Sequence, residues 1–170
     1  MTDAINDGMY YVPPTSFNSL DKVKEFHRAF DQPISDVPNL PKSDSHVFYD
    51  ILADMYEDLS AFEDALKAIQ PADQRVVRVR LLVEEFAEYI KAEHDNDLKE
   101  IADAQADIEY INNGTAAVYG VPLDQIFDVV HQNNMTKLGP DGKPIVVAGK
   151  IQKPIGYEKV SLDKFFPPKE

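Results

Sequence analysis

Residues 80–110 read RLLVEEFAEYIKAEHDNDLKEIADAQADIEY, and their spacing predicts two helices meeting at a short turn. Val76, Val79, Leu82, Val83, Phe86 and Ile90 recur at helical intervals up to about His94, and HDND then breaks the pattern. A second helix is expected over residues 98–119, closed by Gly120. Both helices carry carboxylates. Glu84, Glu85 and Glu88 fall within one turn of the first, while Glu100, Asp103 and Asp107 climb one face of the second. Turned toward each other, such faces concentrate like charge. Two unit charges about 6 Å apart repel by roughly 3 kcal/mol at an effective dielectric of about 20. Either the carboxylates point to water or they surround a divalent cation.

Upstream, Phe48, Leu52, Met55, Leu59, Phe62, Leu66 and Ile69 alternate steps of four and three, the seam of a long helix over residues 45–70 that packs lengthwise on another. Pro71 ends it and Asp73 is placed to cap the next helix. Asn18 or Ser19 caps a short first helix containing Leu20, Val23, Phe26 and Phe30, before a proline-rich break. Residues 1–17, rich in Pro, Asn and Tyr, read as an extended arm. Downstream, Pro122 opens a helix to about Lys137 with Ile126, Phe127, Val129 and Val130 inside. The turn pairs Asp141-Gly142 and Ala148-Gly149 then flank IVV, which predicts a small hairpin followed by a tail over residues 139–170. The expected class is all-α, a helical domain over residues 18–138 with a short hairpin extension.

Composition removes several functions. The chain has 170 residues, one domain's worth, and 44% hydrophobic content is enough for a core. No apolar run approaches the length of about eighteen residues that a membrane span needs. The opening MTDAINDGMYYVPP has no basic stretch followed by an apolar one, so no secretory signal is expected. Cysteine is absent, which rules out disulfides and thiolate metal sites and fits a cytoplasmic protein. The net charge of −13 comes without a basic footprint, so nucleic acid is not expected as a ligand. A small phosphorylated ligand is still compatible, because metal ions bridge acidic sites to phosphate.

Hard oxygen donors without His or Cys suit Mg²⁺, with Mn²⁺ able to substitute. A solvated acidic face is the plainer alternative. The alanines of ADAQADIEY weigh against it, since small residues around Asp103 and Asp107 let another helix approach closely. A di-iron bundle would need Glu-x-x-His on two helices, and that pair is missing. Beyond the acids, His131, Asn133, Asn134 and Lys137 end the last helix, and the tail adds Lys143, Lys150, Lys153 and Tyr157. A lone histidine is usually structural, and tail lysines are usually solvated. A lysine and an amide near a metal are also what a phosphorylated ligand requires.

LLVEEFAEYI, followed by EIADAQADIEYINNGTAAVYGVPLDQIFDVVHQNNMTKLGPDGKPI, resembles the MazG-like, all-α nucleotide pyrophosphohydrolase superfamily. Within it, the chain is most similar to the group related to phosphoribosyl-ATP pyrophosphohydrolase, and VKEFHRAFDQPISDVPNLP resembles that group's opening segment. The resemblance covers roughly residues 20–40 and 75–158, so the helix over 45–70 reads as an insertion. It implies a MazG-like bundle that binds Mg²⁺ and splits a nucleoside triphosphate into monophosphate and pyrophosphate. It implies Glu85, Glu88 and Asp107 as ligands, and Glu84 as a further ligand or the base for water. The usual second motif is ExxD. If its aspartate is Asp107, Ala104 stands where glutamate is expected, and Asp103 could serve instead; alternatively Glu100 and Asp103 form the motif one turn earlier. Tyr110, Asn134 and Lys137 become nucleotide or phosphate contacts, with tail lysines such as Lys150 assisting. A homodimer or homotetramer is also implied. The role would be pool sanitation or precursor supply, including dGTP or dATP for modified-base phage DNA. Phosphoribosyl-ATP hydrolysis in histidine synthesis, and a non-catalytic nucleotide binder, are the alternatives. Asn112, Asn113, Gln132 and Asn133 are amides able to read a base edge.

Overall fold

The computed structural model describes residues 18–148 and 150–166, so the arm expected over residues 1–17 lies outside it. Five helices follow in order: α1 (Ser19–Ala29), α2 (His46–Lys67), α3 (Gln74–Asp95), α4 (Leu98–Tyr119) and α5 (Leu123–Met135). A minimal hairpin of β1 (Val146–Val147) and β2 (Lys150–Ile151) and a 3₁₀ turn at Asp163–Phe165 complete the set. The all-α class with a small C-terminal hairpin is therefore as expected. No described helix is long and apolar enough to cross a membrane.

Local chemistry sets the boundaries. The side chain of Asn18 accepts from Asp21 N at 2.9 Å, and Ser45 Oγ accepts from Phe48 N at 3.2 Å. Asp73 Oδ1 takes both Arg75 N and Val76 N at 2.9 Å. Each satisfies backbone donors that a helix start otherwise leaves open. Between α3 and α4 the HDND turn divides the work. Asn96 adopts the left-handed conformation, φ 56°, that closes α3, and Asp97 immediately caps α4 through Lys99 N and Glu100 N. Gly120, φ 67°, closes α4 in the same way.

The chain forms two compact units. One comprises Ser35–Ile126 with residues 162–166. In it α2 packs on α3 and α3 on α4, so α3 is the middle layer. Leu52, Ala87, Ile90, Ala92, Ile101, Ala104 and Ile111 are its buried apolar residues along these helices. Of the alanines around the α4 acids, Ala104 faces the packing, whereas Ala102 and Ala106 are exposed. Tyr49 on α2 donates from its hydroxyl to Asn96 Oδ1 at 2.9 Å, tying α2 to the turn between α3 and α4. The long seam of α2 is only partly covered: Leu52 is buried, while Phe62 is 55% exposed.

The other unit holds α1, most of α5 and the hairpin. Phe30 is fully buried and stacks on Phe26 with ring centroids 4.0 Å apart. Lys22 pairs with Asp128, and His131 Nε2 lies 3.2 Å from Glu25 Oε2, so both ion pairs join α1 to α5. In the hairpin Val146 pairs with Ile151 and Val147 with Lys150.

Candidate active site

The two acidic segments meet on facing sides of α3 and α4. Glu85 is the meeting point. It is half-buried, and its carboxyl is held above its ordinary 4.5 first by burial, then by the charges of Glu88, Asp107, Glu84 and Asp103. Carboxylates from both helices thus act on one group. Glu88, Asp103 and Asp107 are exposed, so they are open to a ligand from solvent. Glu84 also meets cations: Arg80 Nη1 is 3.9 Å away, and Glu84 adds to the field that raises Lys67 on α2. Glu93, further along α3, accepts from the Tyr89 hydroxyl at 2.7 Å.

Glu100 is not among the charges acting on Glu85. With Glu88 it lines a cleft of about 580 Å³ in the same unit, whose other walls include Tyr56, Lys91, Asp95 and Asp97. The Asp95 carboxylate beside Lys91 holds that lysine above its ordinary range, and Tyr56 and Glu100 add to the effect. Among the described residues no three His, Asp or Glu side chains converge into a ready-made metal cage. The donor set is nonetheless all carboxylate oxygen and mutually repelling around Glu85, a chemistry that a hard divalent cation fits.

This arrangement has a measurable consequence without any ion. Folded Glu85 keeps its proton to a higher pH than the same residue in an unfolded chain. Its contribution to stability is therefore complete below 4.5 and lost as pH rises through the raised value. In chelated protein, Glu85→Gln is expected to gain stability over wild type between about pH 4 and about pH 7, because glutamine does not ionise. Added Mg²⁺ should narrow that gain by stabilising the wild type. Denaturant melts at both pH values measure it, and an equal difference at both would contradict the crowding described for Glu85.

The remaining candidates are placed separately. Tyr110, on α4 just past Asp107, is 79% exposed. Asn134, Lys137 and Lys150 belong to the unit with α1 and the hairpin; the first two are half-buried and Lys150 is exposed. In that unit Asn133 has a structural use. Its Oδ1 accepts from the Tyr157 hydroxyl at 2.6 Å and from Val160 N at 3.3 Å, and its Nδ2 donates to Glu158 O at 2.8 Å. The amide suggested for reading a base is committed to anchoring the tail. Asn113 Nδ2 likewise donates to Glu109 O at 2.9 Å. Around Tyr157, Lys153 Nζ and Lys137 Nζ lie 5.1 and 6.0 Å from the ring centroid, beside a cavity of about 450 Å³ lined by Asn133, Thr136, Pro154 and Tyr157.

Two residues the sequence did not single out also bear on the acidic groove. Tyr56 reaches the cleft from α2. Arg78 lies across Gly114 of α4, where an added methyl would fall 2.7 Å from its Nη1, and its buried Nε has no hydrogen-bond partner. Arg78 precedes Glu85, and Gly114 follows Asp107, by about two helical turns, so the contact continues the same helix–helix register. Nothing in the sequence pattern separates Arg78 from Arg75 or Arg80.

Residues 60–134 match the model of the phosphoribosyl-ATP pyrophosphohydrolase family. The match begins inside α2, includes Glu84, Glu85, Glu88, Glu100, Asp103 and Asp107 together with Tyr110 and Asn134, and stops before Lys137 and Lys150. No curated protein matches the chain. Among solved structures it is similar to that of a proposed NTP pyrophosphohydrolase from Exiguobacterium sp. 255-15, at 25% identity and a TM-score of 0.51, over 84% of this chain and 88% of that one. Both likenesses are consistent with the all-α, MazG-like superfamily of nucleotide pyrophosphohydrolases. Within it, the family match agrees with the group related to phosphoribosyl-ATP pyrophosphohydrolase.

Proposed function

We propose that this chain is a metal-dependent nucleoside triphosphate pyrophosphohydrolase, releasing nucleoside monophosphate and pyrophosphate. The observation that carries the reading is the crowding of Glu85 by carboxylates of α3 and α4, inside the segment that matches a pyrophosphohydrolase family. Glu85, Glu88, Asp103 and Asp107, with Glu100 beside them, would hold the cation. Mg²⁺ or Mn²⁺ bound there would neutralise phosphate charge and acidify the attacking water.

The chain's own residues do the rest in this proposal. Glu84 accepts the proton as water attacks the α-phosphorus. Lys137, with Lys150, stabilises the charge that develops on departing pyrophosphate. Tyr110 and Asn134 contact the nucleotide. A homodimer or homotetramer is part of the proposal, supported by Val79, Leu82 and Phe86, which leave apolar surface of α3 exposed. Pool sanitation and precursor supply would use the same residues.

The family match favours one second reading, hydrolysis of phosphoribosyl-ATP. A panel of the ribo- and deoxyribonucleoside triphosphates together with phosphoribosyl-ATP, each with Mg²⁺ and with Mn²⁺, separates the two. At least one free triphosphate is expected to yield pyrophosphate and monophosphate in equal amounts, and chelator should stop the release. Turnover of phosphoribosyl-ATP alone would select the second reading. Binding without pyrophosphate from any substrate would make the chain a non-catalytic nucleotide binder.

A further inference from the structure

We infer that Tyr56 is the residue on which the nucleobase of the substrate stacks, an inference that rests on the triphosphate reading above. The cleft of about 580 Å³ has a suitable size, since pockets for small organic ligands measure roughly 300–1,000 Å³. Two of its walls, Glu88 and Glu100, are carboxylates proposed to hold the cation and, through it, the phosphates. The opening is therefore continuous with the reaction centre.

The rest of the lining decides which part of a nucleotide it takes. Glu88, Asp95, Asp97 and Glu100 are acidic, and the single ammonium, Lys91, already belongs to Asp95. Phosphate away from the cation would be repelled by such walls. A neutral ring with N–H groups on its edge would not be. Asp97 caps α4 through Oδ1 alone, which leaves its other oxygen to accept from such an edge. Tyr56 is the cleft's aromatic wall, half-buried on α2 and so fixed in place by its helix. Stacking on a held aromatic ring tolerates any base and contributes binding without taking part in the reaction. Tyr56 also lies just before residue 60, where the family match begins, so this wall comes from outside the matched segment.

The test compares Tyr56→Ala and Tyr56→Phe with wild type on whichever triphosphate is turned over. Tyr56→Ala is expected to raise KM by roughly tenfold while kcat changes by less than about threefold, the pattern of lost uniform binding. Tyr56→Phe keeps the ring and should behave as wild type. Inhibition by inorganic tripolyphosphate, which has no base, should be the same in all three proteins. A Tyr56→Ala variant with unchanged KM would overturn the inference and leave the pyrophosphohydrolase reading standing. Tripolyphosphate inhibition weakened as much as nucleotide binding would overturn it too, since the damage would then lie at the acids. Wild-type protein that cleaves no triphosphate would remove the underlying reading, and this inference with it.

Discussion

Glu88→Gln and Asp107→Asn are each expected to reduce pyrophosphate release by at least about a hundredfold while leaving helical circular dichroism unchanged. Both side chains are exposed, so the near-isosteric amides remove a negative charge without opening a cavity or burying a new group. Glutamine and asparagine keep one oxygen but lose the anionic donor that a hard cation prefers. A metal contributes several kcal/mol to stabilising charge in the transition state, and roughly 1.4 kcal/mol corresponds to each tenfold in rate. Losing roughly 3 kcal/mol of that stabilisation with one anionic donor would therefore cost about two decades. Pyrophosphate release at saturating triphosphate measures the effect, and Mn²⁺ titration should show weaker binding in both variants. Full turnover in either variant would remove that residue from the site.

A second large effect is expected at Ala104, the position where a glutamate is anticipated if Asp107 is the aspartate of the ExxD motif. Ala104 is only 4% exposed and lies in the packing of α3 on α4, while Asp103 beside it is exposed and acts on Glu85. Restoring the motif by Ala104→Glu would press a carboxylate into the helix interface. An unpaired buried charge costs on the order of 3–5 kcal/mol, which for a chain of this size lowers Tm by roughly 10 °C. The variant is therefore expected to melt much earlier and to bind Mn²⁺ no better than wild type. Unchanged melting with tighter Mn²⁺ binding would mean that residue 104 faces the acids after all.

The parts of the fold that were legible in the sequence are those set by neighbouring residues. Asn18 and Asp73 cap helices where their hydrogen-bonding chemistry places them, and Gly120 ends α4 because it adopts a backbone conformation that few residues accept. The pairing of α3 with α4 was also readable, because two apolar stripes separated by a tight turn have few other ways to bury themselves. Contacts between distant segments were not readable. Asn133 resembled a free amide, yet its partners lie 24 to 27 residues further along the chain. Tyr56 lies outside the apolar seam read along α2, and only the packing of α2 on α3 brings it to the acids' cleft. The alanines gave a mixed signal: the pattern suggested close helix approach without saying which alanine would be covered.

The turn at Asn96 and Asp97 determines how a bound cation would relate to folding. It joins α3 directly to α4, and Ile90, Ile101 and Ala104 are buried along the pair. The chain entropy of bringing the two acid-bearing helices together is thus offset by apolar packing and a short loop, with no ion required. Small metal-dependent domains work the other way round, with the ion supplying the free energy of folding. Here packing alone brings the two acid-bearing helices together, so a cation held there, as proposed, would serve as a reagent and not as a structural staple.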